Sequence, residues 1–271
     1  MQDLRITVIQ TSLFWEDRKR NVEHFSALLN QVNAPTDLIV LPEMFTTGFT
    51  MKASELAEYQ DGEGLRKMKE WASTKNAVIT GSIITGDNEG RYFNRLYWVR
   101  PDGTYETYDK RHLFRMANEH ASYSGGEKRL VVSLNGWRIC PLICYDLRFP
   151  VWCRNRRLDG ANESAYDVMV CIANWPERRS FAWKSLLIAR SIENQAYVIG
   201  VNRIGMDGND INYSGDSIAL DPQGRSLTAI PSGKEAVATV ILSASELEEY
   251  RKAFPVHLDA DAVSVITQQT V

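Results

Sequence analysis

Cysteine and histidine are scarce in this chain: four of each among 271 residues. So few cysteines exclude a disulfide-built scaffold. No Cys-x-x-Cys or His-Glu-x-x-His spacing offers a zinc site. Long apolar runs are missing as well, and none approaches the ~18 uncharged residues that a membrane span needs. There is no repeat, linker or low-complexity tract, so nothing divides the chain. Charge of one sign does not dominate either. Lys and Arg number 31 against 34 Asp and Glu, a net charge of −3, which argues against nucleic acid or an anionic membrane as a partner. The short basic clusters Arg154-Asn155-Arg156-Arg157 and Arg178-Arg179 read as solvated helix or loop charge. The start, Met1-Gln2-Asp3-Leu4-Arg5, enters an apolar strand without a basic-then-apolar leader. A reducing cytoplasm is the expected location.

What is present is an ordinary core-forming composition, 44% hydrophobic and 24% charged. Strand and helix patterns alternate. After Ile6–Gln10, the residues Val22, Phe25, Leu28, Leu29 and Val32 fall on one helical face. Leu38–Leu41 reads as a short buried strand, and Leu65, Met68, Trp71 and Ala72 mark a second amphipathic helix. Ala77–Ile84 is a strand, and Arg95–Arg100 with Thr104–Tyr108 forms a hairpin around Pro101-Asp102-Gly103. Val168–Ala173 is a further strand. A helix follows through Phe181, Ser185, Leu186, Ala189 and Ile192. Tyr197–Val201, Ile218–Leu220 and Ala236–Ile241 complete the strands. The pattern predicts one α/β domain with a mixed or antiparallel second half. Beyond Tyr250 the periodicity weakens, and a C-terminal extension over residues 251–271 is expected at an oligomer interface.

Three polar residues end or interrupt apolar runs. Glu43 closes Leu38-Ile39-Val40-Leu41-Pro42-Glu43. Lys110 lies within Tyr108-Asp109-Lys110-Arg111-His112-Leu113-Phe114. Cys144 ends Ile139-Cys140-Pro141-Leu142-Ile143-Cys144, just before Tyr145-Asp146-Leu147-Arg148-Phe149-Pro150. Open α/β sheets present their working groups at the carboxyl ends of strands. Taken alone, each residue has an unremarkable reading: a small buried thiol, a carboxylate at a helix start, a solvated ammonium. Together they are the parts of a nucleophilic amide hydrolase that needs neither metal nor histidine. A Cys–His hydrolase would need a placed imidazole, and only His24, His112, His120 and His257 exist. His112, two residues from Lys110, reads as a packing residue behind the site. Cys140, Cys153 and Cys171 read as small apolar fillers.

These three motifs, in this order and 67 and 34 residues apart, resemble the Glu-Lys-Cys signature of the nitrilase superfamily of carbon–nitrogen hydrolases. The resemblance spans nearly the whole chain, from Val8-Ile9-Gln10 to Asp221-Pro222-Gln223-Gly224. It implies a single-domain α-β-β-α sandwich over residues 1–250 and no cofactor or metal. It also implies a homodimer joined through helices near Val151–Leu158 and after Trp175. By the same resemblance Glu119, in Glu119-His120-Ala121-Ser122-Tyr123-Ser124-Gly125-Gly126-Glu127, matches the family's second glutamate, with Glu127 as the competing choice. A free thiol is only a few per cent thiolate at neutral pH. Glu43 would therefore take the proton of Cys144 as attack begins and later pass it to departing ammonia. Lys110 and the backbone N–H of Tyr145 would stabilise the oxyanion. Glu119 would orient the substrate amide and the incoming water.

Cys144-Tyr145-Asp146-Leu147-Arg148-Phe149-Pro150 with Asn174-Trp175-Pro176 looks like the omega-amidase branch. Such enzymes hydrolyse the terminal amide of small 2-oxo-dicarboxylic monoamides, 2-oxoglutaramate and 2-oxosuccinamate among them. A small acidic amide needs a cation at the far end of the pocket, for which Arg148, Arg178 and Arg179 are the candidates. Arg148 has a second reading, as a partner of Asp146 or Asp167. Phe45, Phe149 and Trp175 would wall a narrow apolar slot or belong to the core. Two alternatives stand beside this reading. One is another nitrilase-superfamily hydrolase acting on a nitrile, an N-carbamoyl amino acid or a deaminated thiol peptide. The other is a binding or scaffold protein that kept the fold without the chemistry.

Overall fold

The computed structural model describes residues 1–155 and 164–261. In chain order its elements are β1 (Leu4–Gln10), α1 (Arg18–Asn30), β2 (Leu38–Val40), α2 (Ala53–Leu56), α3 (Glu63–Lys75), β3 (Val78–Gly86), β4 (Tyr92–Val99), β5 (Tyr105–Asp109), α4 (Glu119–Ser122), β6 (Val132–Leu134) and β7 (Trp137–Ile143). Then come α5 (Pro150–Cys153), β8 (Val168–Ala173), α6 (Ser180–Asn194), β9 (Tyr197–Asn202), β10 (Ile204–Met206), β11 (Asn212–Ser214), β12 (Ile218–Leu220), β13 (Ala236–Leu242) and α7 (Ala244–Ala253). Local chemistry sets several of their boundaries. The carboxylate of Asp17 accepts the Arg20 N–H and starts α1. Asn76, with φ +47°, ends α3 in the left-handed conformation. Gly103, with φ +83°, turns the chain between β4 and β5.

Two sheets face each other. One has the order β13-β1-β2-β3-β4-β5 and the other β12-β9-β8-β7-β6. Both have a parallel centre, β1-β2-β3 in one and β7-β8-β9 in the other, with antiparallel flanks. The mixed character expected for the second half thus extends to the first. Strand alternation divides the apolar residues between two faces. Ile6, Val8, Leu38 and Val40 turn inward to meet Ile139, Val168 and Val170 of the opposite sheet. Ile9, Ile39, Leu41 and Ile79 turn outward and are covered by Phe25 and Leu28 of α1 and Leu65 and Met68 of α3. On the other side α6 lies so close to β9 that a Cβ on Gly200 would meet Leu187 Cδ1 at 2.5 Å. The layers are α-β-β-α in a single α/β domain.

Two details go beyond the sequence pattern. The buried face of α6 is Trp183, Leu187, Arg190, Ser191 and Asn194, whereas Phe181 is 82% exposed. Trp183 and Leu187 win the inward positions because the space above Gly200 accepts their large side chains. Nor does ordered packing stop at Tyr250. Helix α7 runs on to Ala253, and Arg251 donates to Asp167 at 2.6 Å, Gln195 O at 2.9 Å and Tyr166 O at 3.0 Å. Residues 262–271 of the expected extension, and residues 156–158 of the expected pairing helix, lie outside the described residues. No helix among the described residues is long and apolar enough to cross a membrane.

Candidate active site

Glu43, Lys110 and Cys144 all lie just past strand ends: Glu43 beyond β2, Lys110 directly after β5 and Cys144 directly after β7. Sharp turns hold them there. Met44, next to Glu43, has φ +45°, and its N–H donates to Ser82 Oγ at 2.8 Å. Cys144 itself has φ +46°, a conformation that costs a non-glycine residue roughly 1 kcal/mol and persists only when the surroundings enforce it. Asp146 enforces it. Its carboxylate accepts the Ile143 N–H at 3.1 Å, the Tyr108 hydroxyl at 2.7 Å and the His112 N–H at 3.0 Å, with His112 Nδ1 at 2.8 Å. The turn behind the thiol is therefore pinned from β5 and from the loop after it.

Lys110 is fully buried between two buried carboxylates. Its Nζ lies 2.9 Å from Glu43 Oε1, and 2.9 and 3.0 Å from the two oxygens of Glu119. Burial alone would favour a neutral amine. The negative charges of Glu119 and Glu43 outweigh it and push the Lys110 pKa well above the usual lysine range. Burial lifts the Glu119 carboxyl above its ordinary range despite the opposing ammonium. The backbone N–H of Phe114 also donates to Glu119. Of the two acidic candidates in this segment, Glu119 enters the cluster at the start of α4, and Glu127 is exposed.

The outer oxygen of Glu43 is occupied as well. The Asn174 N–H donates to Oε2 at 2.7 Å, and Asn94 Nδ2 donates to Oε1 at 2.7 Å. Burial, and then the charge of Glu43, push the Cys144 thiol well above the ordinary cysteine range, while Lys110 pulls the other way. Nucleophilic attack by a thiol whose pKa is raised in this way would require a base to take its proton. A buried carboxylate, a fixed cation and a thiol in one cluster are groups that can together carry an acyl group.

Cys144 and Lys110 open onto a cavity of about 630 Å³. Tyr145, Arg148, Trp175, Arg178 and Arg179 line it. Phe45 does not. It packs in the core against Phe25 (5.3 Å between ring centroids) and Trp71 (6.0 Å), because the left-handed Met44 turns the next side chain back under α1 and α3. Phe149 also lies outside the lining. It stacks on His112 at 3.7 Å and meets the Tyr145 ring edge-on, so it supports the wall from behind. Phe49 and Phe114 take the expected lining places. Arg148 is not the partner of either aspartate. Its guanidinium lies over the Trp175 ring at 5.0 Å, while Asp146 is held by His112 and Tyr108, and Asp167 by Arg138 and Arg251.

Sequence reasoning missed Asn94 and Asn174 as parts of the site. Asn174 carried a usable signal, a polar residue directly after the apolar β8. Asn94 carried none, since it lies inside β4.

Residues 5–252 match the family described as carbon-nitrogen hydrolase. The chain belongs to the carbon–nitrogen hydrolase family. Omega-amidase YafV of Escherichia coli strain K12 is 46% identical to this carbon–nitrogen hydrolase over 261 residues, 96% of this chain and 98% of that one. The 2-oxoglutaramate amidase of Bacillus subtilis strain 168 is 33% identical over 258 residues, 94% of this chain and 96% of that one. XC1258 of Xanthomonas campestris is a CN-hydrolase superfamily protein whose crystal structure carries an arsenic adduct in the active site. It superposes with a TM-score of 0.93 at 44% identity, over 98% of this chain and all of that one. This carbon–nitrogen hydrolase is therefore an enzyme that cleaves C–N bonds, on the α-β-β-α fold of its family.

Proposed function

We propose that this enzyme hydrolyses the terminal amide of small 2-oxo-dicarboxylic monoamides, 2-oxoglutaramate and 2-oxosuccinamate, to the acid and ammonia. The observation that carries the reading is the buried Glu43–Lys110–Glu119 cluster beside Cys144, at the base of a cavity with three arginines in its wall. The relatives named omega-amidase and 2-oxoglutaramate amidase support the choice of substrate.

In the proposed reaction Cys144 Sγ attacks the amide carbonyl carbon while Glu43 takes the thiol proton. Lys110 and the Tyr145 N–H stabilise the oxyanion. The C–N bond breaks as Glu43 passes its proton to the nitrogen, so ammonia leaves and a thioester remains. Water then gives a proton to Glu43 and attacks the thioester. The C–S bond breaks and the thiol recovers its proton. Glu119 holds Lys110 by two oxygens throughout and orients substrate and water.

Two further parts of the reading concern setting. All four cysteines are unpaired, which supports a reducing cytoplasm. Exposed Val151, Phe181, Ile188 and Ile192 supply an apolar surface on α5 and α6 for pairing with a second copy. Light scattering is expected to give a dimer mass, and a monomer mass would reject the pairing. Ammonia release across 2-oxoglutaramate, glutarate monoamide, a nitrile and N-carbamoyl-alanine tests the activity. Turnover of the two acidic amides is expected, and activity on the nitrile or carbamoyl compound alone would reject the reading.

A further inference from the structure

Three arginines line the cavity that holds Cys144, and they are not equivalent. Arg148 is exposed and lies over Trp175, with Cζ 5.0 Å from the ring centroid. Arg178 is exposed in the middle of the turn before α6. Arg179 is half-buried, and its Cζ lies 5.4 Å from the centroid of Phe114. Its Nη2 donates at 2.8 Å to the thioether sulfur of Met116, a weak acceptor. Its Nη1 is buried and has no acceptor at all. Among the described residues no carboxylate lies within ion-pair range of this guanidinium.

A half-buried cation with one weak acceptor and one buried, unused donor is costly unless an anion completes it. Burial and the neighbouring charges of Arg178 and Arg148 already work against its positive charge. Met116, which holds Nη2, is 73% exposed and flexible. A small shift of that thioether presents both terminal nitrogens to a carboxylate in the bidentate geometry that guanidinium favours. The Phe114 ring lies against the guanidinium, and its backbone N–H donates to Glu119, so this residue borders both ends of the site.

We propose that Arg179 anchors the substrate carboxylate remote from the scissile amide, and that Phe114 and Met116 set its position. The assignment rests on the acidic-amide reading above and narrows it to one residue. An unpaired cation cluster also disfavours an ammonium at that end, so the site selects acids over α-amino acids of the same length.

The test compares kcat/KM for glutarate monoamide with that for pentanamide, its neutral counterpart of equal length, in the full chain. Arg179→Ala is expected to lower the acid-to-neutral ratio about 100-fold, mainly through KM, and Arg179→Lys to restore about a tenth of it. Arg148→Ala and Arg178→Ala are expected to change the ratio less than about fivefold. A ratio unaffected in Arg179→Ala, or lost instead in Arg148→Ala or Arg178→Ala, overturns the assignment. Calorimetric binding of glutarate separates this from the amidase reading, because it needs no turnover. If the wild-type enzyme cleaves neither amide but binds glutarate only when Arg179 is present, the anchor stands and the amidase reading falls. Glutarate binding equal in wild type and Arg179→Ala rejects the anchor.

Discussion

The backbone N–H of Asn174 lies 2.7 Å from Glu43 Oε2, and its side-chain amide donates to the Glu43 carbonyl oxygen at 2.6 Å. The two residues belong to facing sheets, so this double contact joins the carboxyl ends of β2 and β8 at the point where the proposed base has to be held. Asn174→Ala removes the side-chain donor and keeps the backbone one. A fall in kcat of about 10- to 100-fold is expected, with a smaller change in KM, since small misplacement of a reacting group is costly. Steady-state ammonia release measures it, and unchanged kcat would show that the backbone contact alone suffices.

Cys144→Ala and Cys144→Ser are expected to lower turnover by at least about 10⁴-fold while the circular dichroism spectrum stays that of wild type. Intact mass after mixing with substrate should show an acyl adduct on the wild-type chain and none on Cys144→Ala. Because burial and Glu43 raise the thiol pKa, alkylation of the free enzyme should be slow at neutral pH and accelerate as pH rises beyond the ordinary thiol range. Rapid, pH-independent alkylation near pH 6 would mean a preformed thiolate and would contradict this account.

Lys110→Met leaves Glu43 and Glu119 buried together without a cation. Removing one member of a buried charged group typically costs about 3–5 kcal/mol, and the variant should lose that much in urea unfolding at pH 7. The remaining pair then favours binding a proton in the folded state, so the deficit should shrink as pH falls toward 5. A deficit that grows on acidification would refute the argument.

Asp167 ties β8 to both Arg138 and Arg251. Burial works against its carboxylate, but the two guanidinium groups outweigh it and hold the pKa below the usual aspartate range. A depressed folded-state pKa gives stability that is complete above the unfolded value and is lost as pH falls through the folded one. Asp167→Asn should cost about 2–4 kcal/mol at pH 7, and the gap from wild type should close below pH ~4. Thermal unfolding across that range checks both the size and the sign.

Much of the architecture is readable from local pattern. The faces of α1 and α3, the turn at Pro101-Asp102-Gly103 and the strands that carry Glu43 and Cys144 all follow from spacing and turn chemistry. The pattern marks α6 as a helix without fixing its buried face, because Phe181 and Ile192 fit a helical stripe as well as Trp183 and Leu187 do. Periodicity defines a stripe but not which stripe meets the sheet. That choice depended on Gly200, which leaves room on β9 for the larger pair.

The linear chain by itself singled out the groups that the proposed chemistry uses. An apolar run that stops at a charged or nucleophilic residue marks a sheet edge, and three such stops in order define a base, a cation and a thiol. Tertiary structure alone decided what surrounds them. Left-handed turns at Met44 and Cys144 aim the side chains, and partners from distant elements then hold them: Asp146 by His112 and Tyr108, Glu43 by Asn94 and Asn174, Arg179 by Phe114 and Met116. Burial and direction are properties of contacts between elements far apart in sequence, so the pattern pointed to Phe45 and Phe149 as walls of the cavity, and packing put Phe49 and Phe114 there instead.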